Sequence, residues 1–358
     1  MESIYDPNYY YSIAVDLTNR CNGRCIFCPR NDFSAKMNEH TELDFDIFKK
    51  VFDHDYLNHI KNLILSGNLG DAGFYSKLFE LLDYVKENNK EVNVFIATNG
   101  SMRSTSWWKE LARKMSFNKG NIVRFAIDGL EDTHHLYRGT NYKIVLRNLI
   151  AYTNAGGVAD WQFIIFKHNQ HQLKKAKQIA KISKCSAFIT LVSRSYNETN
   201  LQRPTILEAK TKTELCNITD TKEVFCTPIY DRHLYLSHEG FIYPCCDYGL
   251  FEDFRKIESY PVKAYIEYLR SLNDLDMSKS TLSDALNSRF FRYIIENRED
   301  LIRCKISCRI KKNNCNNKIQ MREEINSIMS AEERIVPRSE NITTNKIQMR
   351  LELGDQNV

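Results

Sequence analysis

Apolar runs of strand length alternate with helix-period segments six times in the first 200 residues, and that alternation leaves few folds open. The strand candidates are 13–17, 63–66, 92–98, 122–128, 161–166 and 187–192. Phe45, Phe48, Val51 and Phe52 recur at helical spacing behind Asp44 as N-cap, and Phe74, Leu78, Leu81, Leu82 and Val85 repeat the pattern in the second unit. Ser104 or Thr105 caps a helix over 107–115, and a helix from Tyr142 stops at Gly156-Gly157, where glycine adopts the left-handed cap. Repeated βα units imply a parallel sheet with right-handed crossovers. Six units rather than eight predict an α/β fold built as a partial, open barrel.

Parallel α/β folds assemble their sites at the carboxyl ends of the strands, and the distinctive residues fall there. Cys21, Cys25 and Cys28 follow the first strand, Gly67-Asn68-Leu69-Gly70-Asp71 the second, Thr98-Asn99-Gly100 the third, Asp128-Gly129 the fourth and Lys167-His168-Asn169 the fifth. Glycines after strands are often turn residues, so the shared placement of five loops weighs more than any one of them. The cysteine loop offers three thiolates, and the next cysteine is Cys185. A four-iron, four-sulfur (4Fe–4S) cluster takes one thiolate per iron, so three leave one iron open for chemistry. A structural zinc site wants four ligands, and His40 or His54 would have to complete it.

With 358 residues, 42% of them hydrophobic, the chain can bury one full domain core and a smaller second one. It has no long apolar run, and residues 1–6 lack a signal pattern, which predicts a cytoplasmic protein without a membrane partner. Eleven cysteines then point to metal ligation or redox chemistry over disulfides. The net charge of +5 is mild, and 309–358 mixes nine basic with seven acidic residues, so nucleic acid is not a demanded partner.

The C-x3-C-x2-C spacing of Cys21, Cys25 and Cys28, with Pro29-Arg30 behind it, resembles the cluster motif of the radical S-adenosylmethionine (SAM) superfamily. The resemblance implies a 4Fe–4S cluster whose open iron chelates the amino and carboxylate groups of SAM. It further implies reductive cleavage to a 5′-deoxyadenosyl radical, with a low-potential donor such as a flavodoxin or ferredoxin. Where the family has a Gly-Gly-Glu-Pro type segment for the SAM amino group, this chain has Ser66-Gly67-Asn68 and no proline after Asp71; Gly67, Asn68 and Asp71 are the candidates. Asn99 and Asp128 are further cofactor candidates. The stretch from Asp128 to Arg138 resembles the Asp-Gly-x4-His-x3-Arg pattern of members carrying a SPASM or twitch extension. Arg138 has a fork suited to a carboxylate, of SAM or of a substrate, against a solvated surface role. Asn169 suits either the ribose hydroxyls or a helix cap, and His134 and His135 suit either structure or proton transfer.

After a polar connector over 194–213 the cysteines resume. Cys226, thirteen residues, Gly240, four residues and Cys245 resemble the opening half of the SPASM or twitch motif, on a hairpin of strands 234–236 and 241–243. Helices over 262–272 and 282–297 lead to Cys304, Cys308 and Cys315. The resemblance implies a second 4Fe–4S cluster on Cys226, Cys245, Cys304 and Cys308, with Cys216, Cys246 and Cys315 in reserve; a zinc ribbon is the competing reading. Cys185 reads as an ordinary buried thiol. The expected organisation is a barrel over 1–205, a small α+β cysteine-rich domain over 206–316 and a tail over 317–358, in which Asn317-Lys318-Ile319-Gln320-Met321-Arg322 recurs from Asn345. The expected activity is hydrogen abstraction from a peptide or protein side chain. The alternatives are a dehydrogenase or epimerase of a sugar or small metabolite, a non-catalytic iron–sulfur electron carrier, and a zinc-stabilised binding module.

Overall fold

The computed structural model describes residues 3–28, 30, 40–193, 201–205, 226–249, 262–301 and 304. One sheet holds β1 (Ser12–Val15), β2 (Asn62–Leu65), β3 (Asn93–Thr98), β4 (Ile122–Ala126), β5 (Ala159–Ile165), β6 (Ala187–Val192), β7 (His233–Leu236) and β8 (Ile242–Tyr243), in the order β6-β5-β4-β3-β2-β1-β7-β8. Every pairing is parallel except the β7–β8 hairpin. Between the strands lie α1 (Phe45–Val51), α2 (His54–His59), α3 (Leu78–Asn88), α4 (Thr105–Met115), α5 (His134–Arg138), α6 (Tyr142–Asn154) and α7 (Leu173–Ile182). This is the expected α/β partial barrel, with all six anticipated strands in place.

Three details differ from the sequence reading. The hairpin expected inside the cysteine-rich region extends the barrel sheet, because β7 pairs with β1 from Ser12↔His233 to Val15↔Leu236. Phe74 lies in a 3-10 turn over Ala72–Phe74, and α3 begins only at Leu78. The single helix expected over 282–297 is two, Leu282–Asn287 and Arg289–Glu296. Ser288 between them is extended (φ −60°, ψ 154°) and its hydroxyl accepts from Phe291 N, so a local cap outcompetes helix continuation. Cys216, Cys308, Cys315, most of the 194–213 connector and the 317–358 tail lie outside the described residues.

The two faces of the sheet are unequal. Leu63, Leu65, Val94, Ile96, Val123, Phe125, Trp161 and Phe163 are buried on the helix side, where the Phe125 ring lies 5.0 Å from Trp108 of α4 and 6.0 Å from Tyr152 of α6. Their neighbours Ile64, Phe95, Ala97, Ile122, Ala126 and Ile164 are only half-buried. Parallel sheets ordinarily bury both faces, so an apolar face left half-open marks the concave lining of a barrel that admits something other than its own side chains. Buried amides fix the mouth: Asn148 Nδ2 donates to the carbonyls of Gly100 (2.9 Å) and Met102 (3.1 Å), and Trp108 Nε1 also donates to Met102 O. Gly100 has φ +67°, and a Cβ there would stand 2.6 Å from the Phe125 ring. Among the described residues no helix is long and apolar enough to cross a membrane.

Candidate functional site

Three buried carboxylates stitch the strand-end loops together. Asp16, one residue past β1, accepts from Asn68 N at 2.9 and 3.1 Å, from Leu69 N and from the Tyr235 hydroxyl. Asp71 accepts from Gly73 N (3.1 Å), Thr98 Oγ1 (2.9 Å) and Asn99 N (2.7 Å). Asp128 accepts from Ile164 N and from Arg138 Nε. All three are buried, and burial pushes all three carboxyls above the usual range, Asp16 to about 7, while their donors pull back. The side chains of Asp71 and Asp128, expected at the cofactor, therefore turn inward and spend their oxygens on neighbouring loops. Asp16 was missed by the sequence reading, although a lone carboxylate in the apolar run Ile13 to Leu17 was its signal.

The Asp16 shift has a measurable consequence. Between the unfolded value near 3.8 and about 7 the native state holds a proton that the unfolded chain has lost, so this group's contribution to stability grows as pH falls through 7. Burial holds His134 (about 3) and His233 (about 4) low, and they act in the opposite direction below 6.5. The prediction is therefore a difference. From pH 7.5 to 5 the urea-unfolding free energy of the wild type rises relative to Asp16→Asn by about 3 kcal/mol, at about 1.4 kcal/mol per pH unit below 7. A flat difference would mean that Asp16 is ionised throughout.

The cysteine loop is tied to the end of α5, with Arg24 N donating to Arg138 O (3.0 Å) and Ile26 N to Tyr137 O (3.2 Å). Each sulfur meets an N–H donor. Cys21 Sγ accepts from Gly23 N (3.3 Å) and Asn99 Nδ2 (3.4 Å), Cys25 Sγ from Arg138 Nη1 (3.6 Å), and Cys28 Sγ from Arg30 Nε (3.3 Å). Arg30 also donates to the carbonyls of Cys21 and Gly23, bracing the loop from the flank. A Cβ on Gly23 would lie 3.5 Å from Cys21 Sγ and 3.7 Å from Cys25 Sγ, so both sulfurs flank this glycine. Burial and the neighbouring Asp71 carboxyl push the Cys21 thiol up to about 11, with Arg30 opposing. N–H and guanidinium donors aimed at sulfur stabilise thiolates that carry a metal centre, so the donor set fits an iron–sulfur cluster. Arg30, quoted in the sequence reading only as a flanking residue, is a sulfur-contacting side chain that reading did not single out.

The remaining candidates divide. Asn99 belongs to the site: it is buried, touches Cys21 Sγ and donates to Asn22 Oδ1 at 3.1 Å. Gly67 is exposed, and a Cβ there would stand 2.5 Å from Gly70 O, which requires glycine for the turn. Asn68 is half-buried and its Nδ2 donates to Cys246 O at 3.0 Å. Arg138, read as a carboxylate fork, has a side chain only 13% exposed and directs its guanidinium to Asp128 and Cys25. Asn169, read as a ribose ligand or helix cap, makes no side-chain cap bond: fully buried, it donates to Asp128 O and Ile164 O (both 2.9 Å) and accepts from Phe166 N (2.7 Å). His134 is structural, Nδ1 accepting from Asp128 N (3.2 Å) and Nε2 bonding Thr140 Oγ1 (2.8 Å). Of the second set of cysteines, Cys226 and Cys304 are buried, Cys245 half-buried and Cys246 exposed; Cys304 Sγ lies 3.5 Å from the Tyr248 hydroxyl.

The model of the radical SAM superfamily matches residues 15–178, from the end of β1 into α7. Over this stretch, a little under half of its length, the chain is similar to radical SAM domains. The radical SAM domain implies a 4Fe–4S cluster and SAM, and Cys21, Cys25 and Cys28 are the residues whose surroundings suit that cluster. A curated relative from Pyrococcus furiosus, the tungsten-containing aldehyde ferredoxin oxidoreductase cofactor-modifying protein, is 26% identical over 100 residues. That match spans 28% of this chain and only 27% of the relative. Among solved structures, Streptococcus suis SuiB bound to S-adenosylmethionine superposes with a TM-score of 0.54 at 12% identity, over 84% of this chain and 72% of SuiB. SuiB bound to its precursor peptide SuiA gives 0.55 at 13%, over 84% and 71%. The structure of anSMEcpe with bound AdoMet gives 0.51 at 15%, over 83% and 89%. At such identities the likeness is one of fold.

Proposed function

We propose that this chain is a radical SAM enzyme that removes a hydrogen atom from a peptide or protein side chain, with its cluster on Cys21, Cys25 and Cys28. The observation that carries the reading is that three cysteines of one loop after β1 each have their sulfur met by an N–H donor. With a 4Fe–4S cluster and SAM bound, one-electron reduction from a flavodoxin- or ferredoxin-type donor supplies the 5′-deoxyadenosyl radical that takes the hydrogen. The chain's own residues do the positioning. Asp16 holds the 66–70 turn, whose backbone acceptors suit an ammonium group, and Asn99, Arg30 and Arg138 place donors on the sulfurs. A peptide substrate is supported by the peptide-bound fold relatives, SuiB with SuiA and anSMEcpe with the Kp18Cys peptide, and by the 128–138 pattern.

A second cluster on Cys226, Cys245, Cys304 and Cys308 would accept the electron that substrate oxidation releases. Its support is the join between Asn68 and the Cys246 carbonyl, which links the turn after β2 to the cysteine segment after β8. The test is anaerobic reconstitution followed by SAM and a reductant. 5′-Deoxyadenosine forms with the wild type and drops to background in Cys21→Ala, Cys25→Ala and Cys28→Ala. Product from any of these variants at the wild-type rate overturns the reading.

A further inference from the structure

Arg124 is the only lysine or arginine in the eight strands of the described residues. It stands on the concave side of β4 between half-buried Ile122 and Ala126, in a lining that is otherwise largely apolar. Of its donors, Nη2 reaches Asp160 Oδ2 at 3.3 Å, while Nε is buried with no hydrogen-bond partner among the described residues. Asp160 is not dedicated to the pair, since its other oxygen accepts from Ser186 Oγ at 2.7 Å. The guanidinium carbon lies 4.6 Å from the Phe95 ring centroid, a cation–π contact. Phe95 and Ile122 also line a cavity of about 460 Å³ at the amino ends of the strands, which Arg124 itself does not line.

A half-buried cation with one long ion pair destabilises the fold unless something else satisfies it. From these observations we infer that Arg124 marks a carboxylate-binding subsite in the barrel lumen and that the substrate presents an acid group to it. The flat fork matches a carboxylate edge. A phosphate dianion matches less well, because Asp160 already offsets part of the one cation. Arg124 lies four residues, about 13 Å of strand, below Asp128 at the mouth, so a substrate anchored there extends upward toward the cysteine loop. The inference rests on the proposed reaction and names its substrate class: a peptide bearing an acidic side chain, or a chain end or small acid bearing a terminal carboxylate.

The experiment labels arginines of the reconstituted full chain with phenylglyoxal and reads each site by peptide mass. The probes are N-acetylglutamate α-amide for a side-chain acid, N-acetylglycine for a terminal acid, their neutral counterpart N-acetylglutamine amide, and inorganic phosphate. At about twice its Kd, an acid that occupies the subsite slows labelling of Arg124 about threefold, through the 1 + [L]/Kd occupancy factor. Labelling of Arg113, whose side chain is 71% exposed, is unchanged. Protection by either acid supports the subsite and tells the two sources apart. Equal protection by the neutral amide, protection by phosphate alone, or an Arg124 that never reacts overturns it. 5′-Deoxyadenosine formation is scored separately: its absence alongside acid protection removes the reaction and keeps the subsite, and the converse keeps the reaction and removes the subsite.

Discussion

Asp128→Ala destabilises the barrel by about 3–5 kcal/mol, the range for removing one partner of a buried ion pair. The Asp128 side chain is 0% exposed and that of Arg138 13%, so deleting the carboxylate leaves a guanidinium in a largely buried site. One further group loses its partner in the same step. Ile164 N, which donates to Asp128 Oδ1, is orphaned at the end of β5, and the Arg138 fork is released to swing against Cys25 Sγ. Stability and iron content should therefore fall together, read by urea unfolding and by iron per chain on anaerobically purified protein. Arg138→Gln alone has a comparable cost, for it strands the carboxylate instead. The double variant Asp128→Ala with Arg138→Gln loses clearly less than the sum of the two single changes, because neither charge is then left unpaired. A single-variant loss below about 1 kcal/mol would place the pair in the class of solvent-screened surface bridges and remove the argument.

Strand positions and the cysteine loop were readable because both are local. Period-two and period-3.6 patterns record which face of each element meets the core, and C-x3-C-x2-C is contiguous. Side-chain direction was not readable. Asp71, Asp128 and Asn169 were placed past strand ends and Arg138 in the 128–138 pattern, but a polar residue at the mouth satisfies itself either on a ligand or on the next loop, and sequence spacing is the same in both cases. Burial decides it, and all four turn to the protein. The parallel pairing of β7 with β1 escaped for the same reason, since residues 12–15 and 233–236 are far apart in the chain and share only an apolar character that suits any strand partner. Arg30 was passed over because its bonds reach back along its own loop to Cys21, Gly23 and Cys28, a contact that a flexible side chain makes only once the loop is folded.

The glycine after β2 ought to be the most sensitive single position for the cysteine loop, more so than the residues that touch sulfur. A Cβ on Gly70 would stand 1.7 Å from Thr18 O and 3.3 Å from Arg20 N, backbone atoms on the segment that leads into Cys21. Neither can rotate away. Thr18 is pinned by its hydroxyl to Thr41 O at 2.9 Å and by a bridge to Glu42. Gly70→Ala must therefore push the two loops apart, breaking the 2.9 Å bond from Asp71 N to Arg20 O. Asp71 moves with it, and Asp71 carries Asn99 N, the anchor of the amide that reaches Cys21 Sγ. Overpacking of this kind costs about 1–3 kcal/mol or more. The sheet and helices should survive with unchanged far-ultraviolet circular dichroism while bound iron falls well below the wild-type ratio. Gly73→Ala is the matched control three residues on: its Cβ meets Met102 Sδ at 3.0 Å, the far end of a flexible side chain, and iron is retained. Iron content in Gly70→Ala equal to that of Gly73→Ala would show that the cysteine loop keeps its shape without the close backbone approach, and that its hydrogen bonds to Arg30 and Arg138 suffice.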